Sequence, residues 1–291
     1  MDSPKIFLDL DSLSVFEKTD KKSSFHIRDT VVSDWFDVTV SSDISPALIQ
    51  SALSTVRRFS EKSDRSDDLQ LLLSPSGASG GGLASMFLEA LGDSSYNLKS
   101  ASVVLPHTLM FNPGQAVNTI MTLRHLADHV TSSICFDNTV LMESDFSNVN
   151  KSIVGCSLSL ASCKIQDKFS QGNLFVKRSK SDNVMIQLES LFGRNRRPKF
   201  SSPPTVVFSG HPLIPKSLVN SFDSILGKEY SVTELESPIV GLGSLAIAYR
   251  DTTTLPQLVK SLIESTKICA VPSNHREWFS ETVEQLCLEF L

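Results

Sequence analysis

Apolar positions along the chain fall into short continuous bursts separated by stretches with helical spacing, the pattern of strands alternating with helices. Lys5 to Leu10 (KIFLDL) reads as a buried strand, with the acids Asp9 and Asp11 at its end. Leu69 with Leu71 to Leu73 forms a second burst, and Ser100 to Leu105 and Ser132 to Asn138 form two more. Between them, Leu48, Ala52, Val56 and Phe59 share one face of a helix starting at Ser45, with Pro46 in its first turn, where a missing N–H costs nothing. Leu83, Phe87, Leu88 and Leu91 mark a second helix. Val117, Ile120, Met121 and Ala127 mark a third, from Gln115 to about Val130.

The remaining stretches are less regular. Residues 12–43 hold a polar loop at Lys18 to Ser24 and a short strand at Trp35 to Val40, and Glu61 to Asp68 is a charged, exposed connection. Beyond Pro204 the pattern predicts a helix from Asp251, with Pro256 in its first turn and Leu258, Val259, Leu262 and Ile263 inward. A strand is expected at Lys267 to Val271. A closing helix from Ser273 to Leu291 turns Trp278, Phe279, Val283, Leu286 and Phe290 toward the core.

The run between Leu73 and Leu83 brings in chemistry. Ser74 to Gly82 is dense in Ser and Gly and is read as a loop. Strand, glycine loop and helix together can cradle phosphate, because bare N–H groups point at the anion and the helix N-terminus adds partial positive charge. Glycine permits the close approach. The run matches neither the Walker lysine pattern nor the GxGxxG fingerprint, and similar turns also serve as plain connections.

Composition narrows the class. With 291 residues, 41% hydrophobic content and mean hydropathy near zero, the chain fits one or two soluble globular domains. No apolar run approaches a membrane span, and the apolar part of MDSPKIFLDLDS is too short for a secretory signal. A net charge of −5 argues against a dedicated nucleic-acid binder. The five scattered cysteines form no CxxC pair and read as reduced, mostly buried thiols of a cytosolic or nuclear protein. His125 and His129 lie one helical turn apart beside Asp128, but no third metal ligand is evident, so they read as surface imidazoles. Two basic clusters, Lys177 to Lys180 and Arg194 to Lys199, read as solvated faces or contacts for an acidic partner.

Several of these stretches, in order, resemble the tubulin superfamily. Ser76-Gly77-Ala78-Ser79-Gly80-Gly81-Gly82 is similar to the family's GGGTGSG loop, keeping Gly77, Gly80 and Gly82 and a hydroxyl at Ser79. Ser76 and Ala78 stand where glycine is usual. Asp9-Leu10-Asp11 resembles a strand end whose acid lies near the nucleotide's metal; solvated carboxylates are the equal alternative. Gln115-Ala116-Val117-Asn118 keeps the first and last residues of the [QE]PYN element, whose first residue reaches the ribose. Asn138, at a strand end, and Asn150, in Ser147 to Lys151, match the two asparagines that contact guanine in the family. TIMTLRHLADH looks most like the gamma and delta branches.

The resemblance also has gaps. The family's first strand and GQCGNQ-type loop, which wraps the phosphates, have no counterpart, since Lys5 to Leu10 matches the next strand. In Asp182 to Glu189, Met185 stands where an aspartate is usual, and the catalytic acid falls on Gln187 or Leu188. Pro204 to Ser217 and Gly241 to Asp251 are similar to the family's second domain, and YSVTEL resembles a helix opening there.

The resemblance implies an α/β fold: a tubulin-like nucleotide-binding-type domain with a mainly parallel sheet over residues 1–146, a central connecting helix and segment over 147–200, and a smaller α/β second domain over 201–291. Nucleotide-binding candidates are Asp11, Gly77, Ser79, Gly80, Gly81, Gly82, Gln115, Asn118, Asn138 and Asn150; no catalytic or metal-binding residue is assigned. The function implied is that of a degenerate, non-polymerising tubulin relative. It would act without GTPase activity, through a tubulin-like or cytoskeletal protein partner, in the cytoplasm or at cytoskeletal and centrosomal structures. The cofactor is either none or GTP with Mg²⁺. The alternative is an authentic GTP-binding assembly protein; a Rossmann-type metabolic enzyme lacks its fingerprint.

Overall fold

The computed structural model describes residues 5–8, 24–27, 35–40, 46–61, 68–92, 98–106, 112–137, 153–157, 159–160, 163, 165, 167–176, 199–209, 226, 230–235, 244–250, 252–266 and 270–290. Contacts divide the chain into two units: Met1–Glu143 with Pro256–Leu291, and Ser144–Leu255. Pro256–Leu291 thus joins the first unit, whereas the sequence-based division grouped 201–291 together.

The first unit holds strands β1 (Lys5–Leu8), β2 (Ser24–Ile27), β3 (Asp68–Leu73), β4 (Leu98–Leu105) and β5 (Ser132–Asp137). They lie in the order β2-β1-β3-β4-β5, and every neighbouring pair is parallel. Strands buried on both faces read as continuous apolar runs. β3 is such a strand, with Leu69, Leu71, Leu72 and Leu73 all 2% exposed or less. β2 lies inside the stretch read as irregular, because four residues (SFHI) give too short a pattern.

Helices of this unit are α1 (Trp35–Val40), α2 (Pro46–Ser60), α3 (Ala78–Leu91), α4 (Pro113–His129), α5 (Thr254–Ser265, which begins at the unit boundary) and α6 (Arg276–Phe290), the last preceded by a 3₁₀ turn at Ser273–His275. α1 and α2 both pack on α3, α3 on α4, and α6 on α4. α1 corrects the strand expected at Trp35 to Val40. Its aromatic and β-branched residues favour a strand locally, but as a helix they bury Trp35, Phe36 and Val38 together. The strand expected at Lys267 to Val271 is not seen at its described end, where Ala270 and Val271 lead into the 3₁₀ turn; residues 267–269 lie outside the described set.

In the second unit, β6 (Phe169–Val176), β9 (Ser244–Tyr249), β7 (Thr205–Ser209) and β8 (Ser231–Leu235) are neighbours in that order. β9 runs antiparallel to β6 and β7, and β8 parallel to β7. β8 corrects the helix opening read in YSVTEL: Val232 and Thr233, both β-branched, sit on a strand. β6 lies inside a stretch read only as polar, its Ser170 and Gln171 being buried against that pattern. Residues 153–157 and 159–160 are helical.

Candidate functional site

Successive parallel strands in the first unit step one way from β1 to β2 and the other way from β3 to β5. The direction reverses between β1 and β3, and open α/β sheets bind ligands at the strands' carboxyl ends at such a reversal. The turn leaving β3 there is Ser74 to Gly77, with Ser74 and Ser76 hydroxyls 3.2 Å apart. Gly77 is the N-cap of α3, at φ −86° and ψ 145°, and no side chain caps the helix. The first helical bond runs from Gly81 N–H to the Gly77 carbonyl at 3.1 Å. An uncapped N-terminus leaves amides that can meet an anion.

Gly80, Gly81 and Gly82 are not part of a loop, as Ser74 to Gly82 was read, but lie in the opening of α3. Two of them have packing reasons. A Cβ on Gly81 would collide with Thr122 Oγ1 of α4, and one on Gly82 would stand 2.7 Å from Val38 Cβ of α1. These glycines let three helices approach closely. Ser79 occupies the second position of α3.

Asn118 faces inward from α4 and is 2% exposed. Its Oδ1 accepts from Trp35 N–H at 3.0 Å, and its Nδ2 donates to the Ser76 carbonyl at 3.2 Å. Both ends of the amide are therefore engaged within the protein. Gln115 takes part in a capping box: Asn112 Oδ1 accepts from Gly114 N–H at 2.7 Å and Gln115 N–H at 3.3 Å, and Asn112 N–H donates to Gln115 Oε1 at 3.4 Å. The structure thus gathers Gly77, Ser79, Gly80, Gly81, Gly82 and Asn118 around one turn. Asp11, Asn138 and Asn150 lie outside the described residues, as do Lys177 to Lys180, Arg194 to Pro198 and Asp182 to Glu189.

The sequence reading passed over Trp35. It is fully buried, and its Nε1–H donates to Ser85 Oγ at 3.3 Å, while Ser85 Oγ donates to the Gly81 carbonyl at 2.9 Å. The available signal was an asparagine set within the apolar stripe of α4, between Val117 and Ile120, which calls for a buried polar partner.

His125 is not the surface imidazole expected. Its side chain is 12% exposed; Nε2 lies 2.9 Å from Glu89 Oε1 of α3 and Nδ1 3.3 Å from the Met121 carbonyl. Among the described residues, no group of three or more His, Cys, Asp or Glu could hold a metal. Burial pushes the Cys135 thiol up to about 12 and raises Cys156 and Cys163 as well, which suits inert thiols rather than nucleophiles. A surface hollow of about 430 Å³ is lined by Thr39, Ile49, Gln50, Met86, Glu89 and Ala90. Along the α3 axis, Met86 and Glu89 of its lining lie about 9 and about 13 Å from Gly80.

Among the described residues, no helix is long and apolar enough to cross a membrane. Residues 3–145 match the model of the Tubulin/FtsZ family, GTPase domain. A 78-residue stretch is 41% identical to the tubulin gamma chain of Eremothecium gossypii, covering 26% of this chain and 16% of that protein. The parallel sheet, the glycine turn at its reversal and these two matches agree: through residues 3–145, the chain belongs to the tubulin/FtsZ superfamily.

Proposed function

We propose that this protein is a tubulin relative that works through protein contacts, as a partner or regulator of microtubule, centriole or basal-body components. On this reading it binds guanine nucleotide weakly or not at all, does not polymerise and does not turn GTP over. It acts in the cytoplasm, at cytoskeletal or centrosomal structures.

The observation that carries the reading is the direct pairing of β1 with β3, Lys5 to Leu8 against Gln70 to Leu73. In the doubly wound order 3-2-1-4-5-6 a further strand lies at this place and its βα turn holds phosphate, whereas the described strands run β2-β1-β3-β4-β5, the other common order, with β1 and β3 themselves flanking the reversal. Here that lane is closed by hydrogen bonds between its neighbours. Among the described residues, the glycine turn after β3 is one wall of a phosphate cradle with no second phosphate loop beside it. Each lost donor removes about 0.5–1.5 kcal/mol, and more when the acceptor is charged. Losing three at about 1.5 kcal/mol each weakens binding roughly a thousandfold. Asn118 supports the same reading, because its amide is already engaged.

The runner-up, a GTP-binding assembly protein, is favoured by the uncapped amides of α3 at the sheet reversal. Titrating the purified chain with labelled GTP and Mg²⁺ decides between them. The proposal expects no saturation in the micromolar range, and saturable micromolar binding replaces it with the runner-up.

A further inference from the structure

The hollow of about 430 Å³ lies between three helices, with Thr39 from α1, Ile49 and Gln50 from α2, and Met86, Glu89 and Ala90 from α3. Sites of this size enclose a small ligand or a side chain, and they combine apolar walls with a few polar groups. Here Ile49, Met86 and Ala90 form the apolar walls, and Glu89 is the one charged residue of the lining. Glu89 is also the one charged residue of α3, and it stands in the last turn with no basic residue beside it. The C-terminal end of a helix is partially negative, so an acid there opposes the helix and strengthens the pull on a cation. Arg57 and Arg58 of α2 lie about 10 Å or more beyond Gln50 along that helix. His125 Nε2 occupies one carboxylate oxygen, Oε1, at 2.9 Å, and the imidazole is itself held at Nδ1, 3.3 Å from the Met121 carbonyl. Oε2 of Glu89 meets no partner among the described residues.

We propose that this hollow receives one lysine side chain of a protein partner, with its methylene stem along Ile49, Met86 and Ala90 and its ammonium on Oε2 of Glu89. The inference rests on the reading of the protein as one that works through protein contacts, and it names the chemistry of the contact. Lysine suits the walls because its stem lies along apolar surface while its head keeps polar partners. Two further acceptors line the hollow. Thr39 Oγ1 donates its proton to the Trp35 carbonyl at 3.0 Å, which leaves its lone pairs to accept, and the Gln50 amide can present its oxygen. An ammonium carries three donors that rotate to meet such a set. Arginine is less suited, because its planar fork takes two carboxylate oxygens side by side and His125 already holds one of them.

The test is methyl NMR on the full chain, labelled at isoleucine and methionine methyls and titrated at constant ionic strength with n-butylammonium chloride, which carries the lysine stem and head. Saturable shifts of the Ile49 and Met86 methyls are expected. Butan-1-ol, with the same stem and no charge, should bind about tenfold more weakly or worse, and Glu89→Gln should weaken n-butylammonium by as much, the worth of a hydrogen bond to a charged group. Ala90→Phe keeps the carboxylate but fills the hollow, and should abolish the response. Glu89 and Ala90 are both exposed on α3, so both variants should fold, which circular dichroism checks. No saturable shift in the wild type overturns the proposal. Undiminished binding in Glu89→Gln or in Ala90→Phe also overturns it, since the cation then sits elsewhere. n-Butylguanidinium binding as tightly as n-butylammonium overturns the assignment to lysine. The labelled-GTP titration reads a different question: micromolar GTP binding replaces the proposed function whatever these methyls do, and silent methyls leave a negative GTP result standing.

Discussion

The ring of Trp35 meets that of Trp278 nearly edge-on, with centroids 5.6 Å apart and planes at 61°. The contact joins α1 to α6, and a second one lies beside it, where Phe36 stacks on His275 at 4.7 Å. Trp35 is fully buried, whereas Trp278 is 40% exposed, so the inward side expected for the closing helix is correct for Phe279, Leu286 and Phe290 and only partly so for Trp278. Trp35→Ala should cost about 3–5 kcal/mol, and Trp278→Ala roughly half of that because it buries less apolar surface. Urea unfolding of both variants checks the ranking, and an equal or larger cost for Trp278→Ala contradicts it.

Alanine favours a helix over glycine by about 1 kcal/mol, so propensity alone predicts that Gly81→Ala and Gly82→Ala stabilise the protein. The contacts with Thr122 and Val38 predict the opposite, since overpacking costs about 1–3 kcal/mol. Both variants should lower the melting temperature. Thr122→Ala in the Gly81→Ala background should recover most of the loss, a coupling that a double-mutant cycle measures directly.

Asn112 caps α4, and its loss leaves the amides of Gly114 and Gln115 without their acceptor. Asn112→Ala should cost about 1 kcal/mol, and Asn112→Asp much less. Gln115→Ala removes only the longer bond at 3.4 Å and should cost less than Asn112→Ala. The opposite order would show that Gln115 carries more than the cap.

The buried thiols set an alkaline limit. The Cys135 pKa is raised from 9.0 to about 12 by burial, so below pH 9 both native and unfolded chains hold the proton and stability is unaffected. Above pH 9 the unfolded chain releases it and the native chain does not, so stability falls by about 1.4 kcal/mol per pH unit per such thiol up to the native value. Cys135→Ala should flatten this slope in chemical denaturation series from pH 8.5 to 10.5. Alkylation of Cys135 at pH 8 should require unfolding, and rapid labelling of the native chain would disprove its burial.

How far the sequence was readable depended on whether a pattern was local. β3, β4, β5 and helices α2, α4 and α5 follow from apolar runs and helical spacing, which carry their own burial instructions. α1 was misread because Trp35, Phe36 and Val38 have strand propensity, and only Asn118 and α3 make the helical arrangement the one that buries them. β8 was misread because VTEL resembles a helix start and its pairing partner β7 is distant in sequence. At the candidate site, the glycine turn was legible, but the roles of Gly81, Gly82 and Asn118 were not. Their neighbours, Thr122, Val38 and Trp35, come from other helices, and no spacing rule announces them.

The return of Pro256–Leu291 to the first unit has a consequence for how this protein is made. A growing chain that has emerged through residue 145 carries β1 to β5, yet α4 still lacks α6 and Trp35 still lacks Trp278. Aromatic surface left bare in this way invites association with other chains. Emergence of residues 276–290 from the ribosome is therefore the step that lays α6 on α4 and Trp278 against Trp35, and a nascent chain halted before residue 276 should depend on chaperones for as long as it waits.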